Sequence, residues 1–162
     1  MEGIKVIKAE LSHELESIEI IPIGDVHSGD EWCDEMALKD VIKYVEDKPN
    51  RYVILNGDLI NNAIKTSVSD IYSESFNPEM QIAHIARLFR PIKDRILAIG
   101  SGNHEERTLK LTGIDPSRYL SVRLGLEDRY ADNSFVLFVK VGKSYTSKPS
   151  NIKQQVYSIF VQ

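Results

Sequence analysis

Short apolar runs that each break at a glycine, with amphipathic helices between them, constrain this chain more than any other feature. Ser17–Ile23 is dense in isoleucine, Arg51–Asn56 carries Tyr52, Val53, Ile54 and Leu55 in succession, and Arg95–Ile99 is a third such run. Runs of this length and composition read as strands. Asp34–Asp47 separates the first two and places Leu38, Val41, Ile42 and Val45 at i, i+3, i+4 and i+7, one face of a helix that Pro49 closes from beyond its end. Asn77 caps and Pro78 opens a second helix whose Ile82, Ile85, Leu88 and Phe89 point one way, and Pro91 is expected to end it. Two helical pieces follow the third run: Glu105–Thr112, stopped by Gly113, and a segment capped by Asp115, opened by Pro116 and stopped by Gly125. Gly3–Glu10, Phe135–Val141 and Gln154–Val161 complete the strands, with polar connections at Asn61–Phe76 and Lys143–Lys153. The order predicts an α/β layered sandwich, one domain over residues 1–162, with helices outside the sheets.

Composition removes several other classes. At 162 residues with 42% hydrophobic and 27% charged side chains, the chain can bury a core without disulfides or a structural metal. Cys33 is the single cysteine, which rules out an internal disulfide framework and four-cysteine zinc sites; a reducing, cytoplasmic setting is expected. Every apolar stretch falls short of the roughly 20 residues that span a bilayer, so no membrane partner is expected. A net charge of −4 argues against indiscriminate binding to a phosphate backbone.

The polar residues sit where the strands stop. Three apolar runs finish in glycine followed by metal-capable side chains: Gly24-Asp25-Val26-His27, Gly57-Asp58 and Gly102-Asn103-His104. Ligands gather at the carboxyl ends of strands in open α/β sheets, because the loops there converge. Asp25 and His27, two apart on an extended segment, reach the same side. Carboxylate, imidazole and amide oxygen form a mixed set suited to Mn, Fe or Zn more than to calcium. A carboxylate such as Asp58 has two oxygens and can bridge two ions, an arrangement that clamps a phosphoryl group. Gly-Asp after a strand is by itself a common turn, and Asp-x-His by itself is a common surface pair. The three together, in order and each at a strand end, carry the reading.

Asp25-x-His27, Gly57-Asp58 and Gly102-Asn103-His104-Glu105 resemble the first three blocks of the calcineurin-like metallophosphoesterases, over about Ile18 to Arg107. The resemblance implies a four-layer α/β/β/α sandwich and a site for two divalent transition metal ions. By that match Asp25 and His27 would hold the first ion, Asp58 would bridge, and Asn103 would hold the second through its amide oxygen. His104 would not be a ligand; it would stand beside the scissile phosphate as general acid or hydrogen-bond donor. The implied activity is hydrolysis of a phosphomonoester or phosphodiester, with nucleic acid among the candidate substrates.

The chain also departs from that pattern. The family's later blocks supply further histidine ligands, and no histidine follows His104. The expectation is a domain incomplete at its C-terminus, holding metal weakly and of low activity alone, with a complementing C-terminal chain or a second copy as partner. A non-catalytic binding module and a DNA-processing nuclease of the same fold are the competing readings. The second block of the protein phosphatases carries an aspartate where this chain has Asn61, followed by Asn62; an asparagine carbonyl can accept a hydrogen bond from His104 but adds no charge. Arg107, Lys110, Arg118 and Arg123 could steer a phosphate, but Glu105, Glu106 and Glu127 offset them, so a solvated helix face is expected. His84, beside Ile85, is expected to be structural. Trp32 and Cys33 are expected to pack partly into the core.

Overall fold

A computed structural model describes residues 4–65, 67, 71–132, 134–145 and 152–162. Two sheets lie face to face. The first contains β2 (Glu19–Ile23), β3 (Arg51–Asn56), β4 (Ile96–Gly100) and β5 (Tyr130–Ala131), side by side in that order and all parallel. The second orders β1 (Lys5–Glu10), β6 (Phe135–Tyr145) and β7 (Ile152–Val161), with β1 parallel to β6 and β7 antiparallel to it.

The parallel sheet explains why its strands read as unbroken apolar runs: both faces are covered. Val53 and Leu55 of β3 face a core shared with α1 (Glu35–Glu46), α2 (Pro78–Phe89) and α4 (Pro116–Leu124). Tyr52 and Ile54 face a second core between the sheets, with Ile7, Phe135, Leu137 and Val139. The other face of the second sheet carries Val6, Val156 and Phe160, all exposed. Among the described residues the layers are therefore helices, sheet, sheet, and no helix covers that outer face.

The helix ends obey the expected signals. Asp34 accepts from the Ala37 N–H at 2.9 Å, Asn77 from Met80 at 2.9 Å, and Asp115 from Arg118 at 3.0 Å. Four boundaries differ. Past Pro91 the chain continues as a 3-10 turn, Arg90–Arg95, because proline at an early position of such a turn loses no bond it needs. The third helix, α3, begins at Asn103 and runs to Thr112, two residues ahead of expectation. The two-residue β5 is too short to show a period. Much of the polar Lys143–Lys153 connection belongs to β6 and β7; its 146–151 part lies outside the described residues, as do 66 and 68–70 of the Asn61–Phe76 connection. No helix among the described residues is long and apolar enough to cross a membrane.

Candidate metal centre

Because β2, β3 and β4 are parallel neighbours, their carboxyl ends deliver the three glycine-marked loops to one edge of the sheet. The loops are laced through backbone. The N–H groups of His27 and Ser28 donate to the carbonyls of Asp58 and Leu59, each at 3.0 Å, and Asn61 donates back to Ser28 at 3.0 Å. The third loop closes on the second so tightly that a methyl group on Gly102 would lie 2.2 Å from both the Asp58 amide nitrogen and its Oδ1. A methyl on Gly57 would likewise lie 2.4 Å from the Gly102 nitrogen. These two glycines are there for close approach, and Gly57 also adopts a left-handed φ of 77°.

The ligand candidates themselves are bent. Asp25, His27, Asp58 and Asn62 have φ of 53°, 50°, 49° and 49°, the left-handed region that costs a non-glycine residue on the order of 1–3 kcal/mol. They are the four non-glycine residues of positive φ among those described, and all lie on the first two strand-end loops. Strain concentrated in this way is held by surrounding bonds and aims the side chains.

Ligand atoms of His27, Asp58 and His104 all lie within 4.8 Å of one another, each side chain half-buried. Two donors about 2.1 Å from one ion are at most about 4.2 Å apart, so side-chain shifts below an ångström would close this set on a cation. The donor chemistry, two imidazoles and a carboxylate, suits a transition metal. The His27 and His104 rings meet edge to face with centroids 4.2 Å apart. Asp25 Oδ1 lies 3.7 Å from His27 Nε2, its side chain 85% exposed at the rim. Asn103, also exposed, opens α3 and borders a cavity of about 200 Å³ with Asn56, Glu106 and Asp132.

His104 is held on two sides. Its backbone N–H donates to Asp58 Oδ1 at 2.9 Å, which also places that carboxylate at the positive end of α3. Its ring Nδ1 lies 2.6 Å from the backbone carbonyl of Asn61. A carbonyl only accepts, so Nδ1 carries the proton and Nε2 is the nitrogen available to a ligand. The expected partner was the Asn61 side chain. That amide instead donates to Asp30, at 3.0 Å, and to Glu74.

Two supporting residues escape a reading by motif. Glu105, expected as a surface charge, is 2% exposed. Its carboxylate accepts from the N–H groups of Asp58 (3.0 Å), Leu59 (2.9 Å), Ile60 (3.2 Å) and Gly102 (3.1 Å), joining the second and third loops. Burial pushes its carboxyl above the usual range, and the N–H donors, Ile60 first, pull against that. Asn62, wholly buried, donates to the His104 carbonyl at 2.5 Å and accepts from the Thr108 hydroxyl at 3.1 Å. Its own N–H donates to Gln81 Oε1 of α2 at 2.9 Å. The available signals were Glu105's place on the third residue of a helix, where a carboxylate reaches back to free N–H groups, and Asn62's tolerance of a left-handed backbone.

The remaining candidates fall outside the cluster. His84 Nε2 pairs with Glu35 at 2.8 Å and its ring lies 5.4 Å from that of Phe76, tying α2 to α1. Trp32 does not pack into the core: it is 85% exposed, because its loop turns outward where the Trp32 N–H donates to Asp30 Oδ1 at 2.8 Å. Cys33 is half-buried, and that burial, with the nearby carboxylates of Glu35, Asp30 and Asp34, holds its thiol neutral by raising its pKa. Lys110, paired with Glu106 at 2.9 Å, and Arg118 lie on exposed faces as expected; Arg107 and Arg123 do not, since each is half-buried with one guanidinium nitrogen, Nη1 and Nε respectively, shut off from solvent. A cavity of about 870 Å³ at the start of β2, lined by residues that include His13, Ile18 and Tyr157, contains none of the cluster.

A family model described as calcineurin-like phosphoesterase matches residues 18–158. No curated protein and no solved structure matches the chain. The match spans all three strand-end loops, the whole parallel sheet, β6 and most of β7, and on that extent the chain belongs to the calcineurin-like phosphoesterase family.

Proposed function

We propose that the chain hydrolyses a phosphoester at the edge of the parallel sheet, using two divalent metal ions. Phosphoester hydrolysis dependent on metal is the family's chemistry, and the observation that carries it to this edge is the convergence of His27, Asp58 and His104. Bound ions there supply a lowered water pKa and charge neutralisation at the phosphoryl oxygens. Asp25 and His27 are assigned to one ion and Asn103 to the other. Asp58 is assigned between them, having two oxygens and a backbone held by Glu105 and Gly102. His104 is assigned to the substrate: with Nδ1–H bound to the Asn61 carbonyl, the imidazolium form carries a second proton on Nε2, and that proton would pass to, or hydrogen-bond, the leaving oxygen.

These roles separate experimentally. Asp58→Asn should lower metal affinity by more than the 10–100-fold typical of a supporting residue, and turnover of bis-p-nitrophenyl phosphate should vanish with it. His104→Ala should keep its metal and lose about 10²–10⁴-fold in kcat. Calorimetric metal titration alongside steady-state kinetics checks both. Metal loss in the His104 variant would move that residue into the ligand set, and full activity in the Asp58 variant would refute the bridging role.

A further inference from the structure

One cation beside the cluster has no partner among the described residues. Arg107 follows His104 by three residues on α3, and at 100° per residue its Cα direction lies between those of Asn103 and His104, one turn along. Side chains on a helix lean toward its N-terminus, and for Arg107 that is the turn that carries Asn103 and His104. Arg107 is half-buried; its Nη1 is shut off from solvent and has no hydrogen-bond partner, and no carboxylate among the described residues pairs with it.

The nearby acids are committed elsewhere. Glu106 is paired with Lys110, the Glu105 carboxylate accepts four backbone N–H groups, and Asp58 Oδ1 caps His104. A shielded guanidinium N–H without an acceptor is unfavourable, and a planar fork of donors matches the oxygens of a phosphoryl group. We infer that Arg107 is a substrate-binding residue, its guanidinium taking non-bridging oxygens of the phosphoryl group delivered to the strand-end loops. The inference rests on the phosphoesterase reading for the substrate's class, but its test does not depend on turnover.

The test is a calorimetric titration of the full chain with inorganic phosphate in buffer containing Mn(II), comparing the native protein with Arg107→Gln, Arg107→Lys and, as control, Arg118→Gln from the exposed side of α4. Arg107→Gln should weaken phosphate binding about tenfold or more, consistent with loss of charge-assisted bonds. Arg107→Lys should recover part of it, and Arg118→Gln should change it less than about twofold. Mn(II) affinity and the unfolding temperature should stay at native values in Arg107→Gln, since the arginine neither holds the ion nor bonds the fold. The inference is overturned if the native chain does not bind phosphate, if Arg107→Gln binds it as tightly as native, if Arg118→Gln weakens it equally, or if Arg107→Gln loses Mn(II) or unfolds early. Arg107-dependent phosphate binding in a chain that hydrolyses no phosphoester would uphold the clamp and sink the enzymatic reading instead.

Discussion

Single residues at this site act through the space they leave as much as through the groups they bring. Gly102 brings no side chain, yet a methyl there would fall 2.2 Å from Asp58 Oδ1, far inside contact distance, and the neighbouring atoms are backbone and a carboxylate fixed by His104. Gly102→Ala should therefore destabilise by about 1–3 kcal/mol, the usual cost of forcing atoms into a filled space, and should weaken metal binding because Asp58 has to move. Urea unfolding and metal titration of the variant measure both effects; a variant native in both would mean the loops are looser than their geometry. Of the motif residues, Asp25 and Asn103 stand outside the cluster, whereas His27, Asp58 and His104 converge and were legible because their chemistry is distinctive at a strand end. Glu105 and Asn62 were not. A carboxylate in a charged stretch looks like a solvated one until four N–H groups from two loops are seen to converge on it. The outward turn of Trp32 depends on how its loop bonds to Asp30, which no local composition reveals.

At the level of elements, the same logic sorts what could be read in advance. β3 and β4 show as apolar runs because they are buried on both faces; α1, α2 and α4 show because their caps are side chains of known preference. β5 pairs only at Tyr130 and Ala131, and the early start of α3 is set by Glu105 reaching the Gly102 N–H, a bond within the loop that the apolar pattern does not record. The packing of α1 on α2 carries an acid-sensitive tie. The Glu35 carboxyl is held below its usual value of 4.5 by the bond from Lys39 first and from His84 second. A depressed carboxylate stabilises the fold above its unfolded pKa, and that stabilisation is lost as pH falls through the folded value. The Glu35 side chain is 34% exposed and solvent screens the pair, so the gain is about a few tenths of a kcal/mol. Glu35→Gln should thus cost that much near about pH 6 and nothing near about pH 3; an equal cost at both would show that the tie is not electrostatic.

For the molecule as a whole, the architecture and the site are one arrangement. Parallel order in the first sheet puts three loops at one edge, and the second sheet backs it through Phe135, whose ring lies within contact distance of a methyl built on Gly100, at the end of β4. The layered α/β fold was legible because alternating strands and helices admit few packings. Which sheet each later strand joins was not, since β6 pairs with β1 across most of the chain's length and carries β7 on its other side. The central claim is that these loops form a metal centre. Anomalous diffraction from crystals of the chain soaked in Mn(II) tests it most directly. The account predicts a peak about 2.0–2.3 Å from a nitrogen of His27 and an oxygen of Asp58, absent in Asp58→Asn. No peak at these loops, or one at the Asp30 and Glu74 carboxylates with His27 and Asp58 bare, would contradict it.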